Sequence, residues 1–270
     1  MNINIRLETP QDYYEVEALT REAFWKTIWG TGGQQICEEH LLVHRLRSSP
    51  SFVPELDYVA EANGKIVGHI IYAKSWVEDA KSCVYEMLTF GPLSVLPEYQ
   101  GNGIGKALML HTFLEAKLLG YRAVLIYGHP DYYPRVGFRR ASEYGIISTD
   151  GKIRDSFMIY PLYEDALKGI SGKFILDTVY EGLTQEDALE FDKRFPPKEL
   201  HIPCSTDILL ERLEADAQNA IIKLDCQTLA LLSTKSEKEL SLLPGIDAAT
   251  IKTIIEVMEE QGIKWGASIA

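Results

Sequence analysis

The segment Leu93-Ser94-Val95-Leu96-Pro97-Glu98-Tyr99-Gln100-Gly101-Asn102-Gly103-Ile104-Gly105-Lys106 puts three glycines into five positions. An apolar strand-like run precedes them and an amphipathic helix-like run follows. Without Cβ atoms, the backbone N–H groups of such a turn can converge. At a helix start they join the positive end of the helix dipole and form an anion site suited to a pyrophosphate. Two nucleotide patterns fail here. For G-x-G-x-x-G, the last glycine would fall on Lys106 or Leu108. For G-x-x-x-x-G-K-[ST], the first glycine would fall on Gln100 and the hydroxyl on Ala107. The pattern that fits is [RQ]-x-x-G-x-[GA], read as Gln100-x-x-Gly103-x-Gly105. The competing reading is a tight strand-to-helix turn that holds nothing.

Two further features accompany the loop. The strand before it reads Thr89-Phe90-Gly91-Pro92-Leu93-Ser94-Val95, and after the helix comes Gly128-His129-Pro130-Asp131-Tyr132-Tyr133-Pro134-Arg135-Val136-Gly137-Phe138. With these three features the chain resembles the GNAT superfamily of acetyl-CoA-dependent N-acetyltransferases over residues 1–163. The bacterial subgroup with a Gly-His-Pro-x-Tyr-Tyr run is the most similar. The resemblance implies that the loop residues Gln100, Gly101, Asn102, Gly103, Ile104, Gly105 and Lys106 cradle the coenzyme A pyrophosphate. It implies a bulged strand whose backbone at Leu93, Ser94 and Val95 pairs with pantetheine and polarises the thioester carbonyl. It places Tyr133 at the family's tyrosine position.

Each implied role has a physical basis. A bulge frees donors and acceptors from the ladder. A backbone N–H near Val95 would stabilise the charge that develops on the thioester oxygen, worth about 3–4 kcal/mol. A phenol, with a reference pKa of about 10, can donate to the leaving thiolate. Tyr133 is the candidate donor and Tyr132 the fallback. Against this stands plain aromatic packing in company with Tyr13, Tyr14 and Tyr72. The general base is open. The glutamate that some family members carry on the bulged strand is replaced by Leu88, Thr89 and Phe90, and Glu86 lies one pleat earlier. His129 is the candidate base, since an imidazole suits proton transfer near neutrality, but a ring that caps the His-Pro turn and a water chain to solvent are equally open readings.

Other residues carry weaker signals. His40 and His44 stand i,i+4 on a helix without the glutamate of H-E-x-x-H, so no metal is expected. Arg135, Arg139 and Arg140 form a compact basic cluster that meets a coenzyme phosphate or balances acidic surface. Trp25 and Trp29 flank the Gly30–Gly33 loop as acceptor walls or as core.

The elements that must hold these residues alternate. Residues 3–8 read as a strand, and Thr9-Pro10-Gln11-Asp12 start a helix with Thr9 as N-cap. A helix over 34–48 follows, then strands at 56–62, 66–76 and 83–96. Asn63-Gly64 joins the first two as a hairpin. After the loop come a helix ending at Gly120, a strand at 122–127, a short helix or turn at 130–135, and strands at 144–148 and 156–162. The expected fold is α/β and GNAT-like, a central mixed antiparallel and parallel sheet with flanking helices. Residues 1–165 form that domain. Residues 166–270 form a smaller, mainly helical domain of open role, with a strand at 172–180 and helices at 184–194, 206–232 and 247–262.

Composition narrows the function. Of 270 residues, 46% are hydrophobic and 24% charged, ordinary for a soluble protein, and the net charge is −12 with both parts acidic. Neither part is built to coat a phosphate backbone or an anionic membrane. Leu243-Pro244-Gly245-Ile246-Asp247 resembles a helix-hairpin-helix turn, but Asp247 stands where a second glycine belongs, so a DNA-associated role is disfavoured. Cys37, Cys83, Cys204 and Cys226 match no zinc spacing and read as reduced thiols. No apolar run approaches the roughly 18 residues of a membrane span, and the first ten residues lack a signal-peptide pattern. The expectation is a cytoplasmic N-acetyltransferase that moves an acetyl group from acetyl-CoA to a primary amine, in a small molecule or a peptide, without a metal. The rival is a non-catalytic acyl-CoA sensor. A homodimer contact is among the roles open to the C-terminal helices.

Overall fold

The computed structural model describes residues 2–25, 36–198, 206–224, 226, 229–261 and 263. The strands are β1 (Asn4–Leu7), β2 (Tyr58–Ala62), β3 (Lys65–Glu78), β4 (Val84–Val95), β5 (Ala123–Tyr127), β6 (Arg139–Arg140), β7 (Ile146–Ile147), β8 (Phe157–Pro161) and β9 (Gly172–Ile175). They form one mixed sheet in the order β1-β2-β3-β4-β5-β8-β6, with β9 paired to β3 and β7. The β2–β3 turn uses Asn63 and Gly64 at φ 52° and 77°, the two left-handed positions that a tight hairpin demands and that Asn-Gly supplies.

Helices α1 (Tyr13–Phe24) and α2 (Glu39–Leu46) pack on one face of β3 and β4, and α3 (Ile104–Leu118) on the other. Consecutive β4 residues show the division. Ser94 Oγ donates to Thr20 Oγ1 of α1 at 3.0 Å, whereas Leu93 and Val95 flank Gly105 at the start of α3, as alternating strand side chains must. Gly68 of β3 lets α3 approach: a Cβ there would lie 2.9 Å from Ile104 Cγ2. The core between these layers includes Val67, Ile70, Tyr72, Leu88, Leu108 and Met109, all nearly or fully inaccessible.

Some local expectations are revised. Thr9 is not the N-cap of α1. That position is Asp12, whose carboxylate instead reaches back to Thr9 N–H and pairs with Arg6. The helix expected over 206–232 is broken into α5 (Asp207–Leu210), α6 (Ala215–Lys223) and α7 (Leu229–Leu232), and α8 (Glu237–Ser241) was not foreseen. Ser236 closes a capping box with Glu239 at the start of α8. Asp247 caps α9 (Ala248–Glu260), accepting from Thr250 N–H at 2.8 Å, the role that competed with the helix-hairpin-helix reading.

The chain divides at a different place from residue 165. The first compact unit comprises Met1–Thr27 with Cys37–Pro197, the second Ile28–Ile36 with Lys198–Ala270. Residues 166–197 join the first unit through β9 and through α4 (Gln185–Asp192), where Asp192 makes a two-pronged ion pair with Arg21 of α1. The second unit has its own apolar centre, with Leu209, Ile221, Leu232, Ile254 and Val257 buried together. Among the described residues, no helix is long and apolar enough to cross a membrane.

Glu8, Asp57 and His69 bring three possible metal ligands close together. Their charge is already answered: Arg47 grips Glu8 at 2.6 and 2.9 Å, and His69 Nε2 lies 2.8 Å from Asp57. Burial pushes Glu8 above the usual carboxylate range and lowers His69 to about 4.

Candidate active site

The β3–β4 pairing shifts register at one place. Ile70 faces Leu93 and Tyr72 faces Phe90, which leaves Gly91 and Pro92 together opposite Ile71. This is the expected bulge: two residues against one, with ladder groups set free. On its other edge β4 runs parallel to β5, yet only Leu88 and Val124 are in register. Past that pair no further residues of the two strands are registered, which leaves β4 from the bulge onward as the edge of a candidate slot facing the end of β5.

At the mouth of the slot lies the glycine loop. Gly101 and Gly103 take φ of 76° and 78°, a left-handed conformation that side chains resist. Helix α3 starts at Ile104 with no side-chain cap, so the first-turn N–H groups of Ile104, Gly105 and Lys106 lack a helical partner. The loop is braced from within. Gln100 Nε2 donates to Val95 carbonyl at 3.0 Å, and Asn102 Nδ2 donates to the carbonyls of Tyr99 and Gln100 at 3.1 and 3.2 Å. A cavity of about 520 Å³ is lined by Leu93, Val95, the loop, Lys106, Tyr132, Tyr133 and Arg135. The open donors of an uncapped helix, with a lysine and an arginine beside them, suit a diphosphate.

The two tyrosines differ. Tyr132 is 41% exposed, and its hydroxyl lies 3.4 Å from the place a Cβ would take on Gly105, over the helix start. Tyr133 is sunk among Phe90, Phe138 and Tyr132, with ring centroids 5.1 to 6.1 Å away. Its ring lies against Gly128, where a Cβ would come within 2.3 Å of it. Burial first, and then the neighbouring Tyr132, push its phenol well above the usual tyrosine range. Tyr72 is buried nearby with its hydroxyl 2.7 Å from Thr112 Oγ1, so that oxygen is engaged.

The structure brings together Leu93, Val95, Gln100, Gly101, Gly103, Ile104, Gly105, Lys106 and Tyr133. The side chain of Ser94 points to the opposite face, toward Thr20, and that of Asn102 serves the loop's own backbone. His129 stands outside the cavity lining. Its ring is half exposed and its Nδ1 accepts from Asp131 N–H at 3.3 Å. Of the arginines, Arg135 lines the cavity while Arg140 pairs with Asp155 at 3.2 Å. His40 and His44 do not converge: His40 contacts Cys37 Sγ, and His44 contacts Glu17. Trp25 is core, 7% exposed. Trp29 and the Gly30–Gly33 loop lie outside the described residues.

Residues 55–140 match the model of the acetyltransferase (GNAT) domain. The chain is 37% identical over 97 residues to the uncharacterized N-acetyltransferase YjhQ of Escherichia coli (strain K12), a match spanning 36% of this chain and 53% of that protein. It is 26% identical over 168 residues to the uncharacterized N-acetyltransferase YhbS of the same strain, covering 62% of this chain and 92% of YhbS. The solved structure of E. coli YhbS in complex with CoA superposes with a TM-score of 0.58 over 68% of this chain and 96% of that one. A GNAT family acetyltransferase of Brucella melitensis in complex with acetyl-CoA, 25% identical, gives a TM-score of 0.52 over 67% of this chain and 99% of that one. Residues 55–140 thus carry an acetyltransferase (GNAT) domain, in a chain homologous to the N-acetyltransferases YjhQ and YhbS.

Proposed function

We propose that the protein transfers an acetyl group from acetyl-CoA to a primary amine by direct attack in a ternary complex. The observation that carries this reading is the end of β4–β5 registration past Leu88–Val124, at a bulge and next to an uncapped helix. A pantetheine arm lying in the slot would complete the interrupted ladder, with its diphosphate on the first-turn amides of α3. The N–H groups freed at the bulge would then meet the thioester oxygen as it gains charge.

The amine must arrive neutral, because its lone pair forms the bond to the carbonyl carbon. As the C–N bond forms, the C–S bond breaks and the electron pair leaves on sulfur. Tyr133 donates its proton to that sulfur and is reprotonated from solvent. Burial keeps the phenol in its O–H form while weakening it as an acid, so the transfer relies on the same dry surroundings raising the basicity of the leaving thiolate. The amine's surplus proton leaves through water, since His129 holds its own turn rather than the slot.

The reading is tested by thiol release from acetyl-CoA with a panel of primary amines, from propylamine to phenethylamine, spermidine and a short peptide. Amine-dependent release, with the acetylated amine found by mass spectrometry, is the expected outcome. Coenzyme binding without amine-dependent release would instead identify a sensor.

The seat of Tyr133 gives a second test. Gly128→Ala puts a Cβ into the tyrosine ring, so the ring must swing out. Turnover should fall by about tenfold or more with acetyl-CoA affinity held within about twofold. Steady-state rates and calorimetry on the same preparation check this, and unchanged turnover would show that the ring's position is immaterial.

A further inference from the structure

The second compact unit carries a groove that the acetyl-transfer chemistry does not use. It runs between α8 and α9, has a volume of about 920 Å³ and is lined from both helices and the turn that joins them. Ile246, Ile251 and Ile255 give it an apolar floor. The first two belong to the buried centre of the unit, and Ile255 packs on that centre while staying partly open. Along α9 the lining extends from Ala248 to Glu259, roughly 17 Å at the helical rise, or about three turns.

Both walls carry carboxylates. Glu237 stands on the α8 side, Glu256 and Glu259 on the α9 side. Glu256 is answered by Lys252 at 3.5 Å, and Asp247 is committed to Thr250 N–H as the cap of α9. Among the described residues, no cation pairs with Glu237 or Glu259, whereas Glu239 closes its capping box and Glu260 is held by Arg212. The lining has four acids against two lysines, Lys238 and Lys252. Residues 198–270 have twelve acids against seven lysines and arginines. Glu259 also lies in the last turn of α9, where carbonyls without a helical partner add negative potential.

We propose that this groove docks an amphipathic helix of another protein, about three turns long, with apolar side chains on one face and lysine or arginine along its flanks. A groove between two helices accepts the side-chain ridge of a third. Apolar anchors one turn apart on the incoming helix would seat on the isoleucine floor. Its basic flanks would meet Glu237 on one wall and Glu259 on the other, so that charge steers the encounter and fixes the register while the floor holds the complex. The same carboxylates repel a nucleic acid, whose phosphates would have to lie against them. The proposal stands apart from the acetyl-transfer reading and does not fall with it.

The test is fluorescence anisotropy with the full chain and a labelled synthetic helix of about four turns, leucine at helical spacing and lysine elsewhere. Saturable binding with a Kd below about 100 µM is expected. Glu237→Lys/Glu259→Lys changes two exposed side chains, so the fold should hold, and affinity should fall by about tenfold or more. Ile255→Ser should produce a similar fall, and the surface pair decides the matter if that variant loses stability. Glu55→Lys/Glu164→Lys makes the same change of net charge on exposed residues of the first unit and should leave affinity within about twofold. Absence of saturable binding to the wild type would overturn the proposal. Equal losses in the two double variants would do so as well, because the attraction would then belong to the overall charge. So would a folded Ile255→Ser variant at full affinity, a probe with glutamate for every lysine that binds as tightly, or displacement of the peptide by a duplex DNA oligonucleotide.

Discussion

Gly105→Glu should weaken acetyl-CoA binding by about a hundredfold or more while leaving the protein folded. Gly105 lies in the first turn of α3. A Cβ there would meet Tyr132, Leu93 and Val95 at 3.4 to 3.7 Å, ordinary contact distances, and its backbone is not left-handed. The substitution therefore asks little of the fold. Beyond Cβ the side chain has only the cavity to enter, and it carries a carboxylate to the place where a diphosphate would sit. The same carboxylate suits the helix start in the free protein, so melting temperature should hold or rise as affinity collapses. That opposition separates loss of the ligand site from loss of structure. Gly103 is a poorer probe, because at φ 78° any side chain strains the turn. Titration calorimetry that finds unchanged affinity for Gly105→Glu would remove the loop from the coenzyme site.

Tyr133→Phe carries the second large effect, a fall in turnover of about 10²–10⁴-fold with acetyl-CoA affinity nearly unchanged. The ring's contacts with Gly128, Phe90 and Phe138 are kept in the variant. Only the O–H is lost, and among the described residues it is committed to no hydrogen bond. The other phenols near the bulge are less suited to meet the sulfur. Tyr72 is bonded to Thr112, and Tyr132 stands over the helix start. Rapid-quench measurement of the acetylated amine isolates the chemical step from product release. A variant at full rate would assign the proton to Tyr132 or to water.

Much of this site was legible from residue types. The glycine spacing marked the strand-to-helix turn and Asn63-Gly64 marked the hairpin, while the bulge within Thr89–Val95 was implied by the family resemblance. The first two signals are local: a positive φ selects particular residues whatever surrounds them. What escaped depends on contacts made across the chain. The boundary at 165 failed because Asp192 and β9 return to α1 and β3, and nothing near residue 165 signals that return. Ser94 and Leu93 are neighbours in sequence but face opposite layers, a distinction that the bulge makes hard to count through.

The single registered pair between β4 and β5 has a thermodynamic consequence. A sheet normally hides its unpaired edges at the rim, where charge or a covering loop discourages foreign strands. Here an unfinished edge lies in the interior, between two strands each paired on its other side. Whatever extended molecule fits the gap acts as a missing piece of the architecture as well as a reactant. If that molecule is the coenzyme, the folded population is linked to its supply: at a hundred times the dissociation constant, the native state gains about 2.7 kcal/mol. Starvation for acyl donor would then leave this protein idle, and also nearer to unfolding and more exposed to pairing with a stray strand.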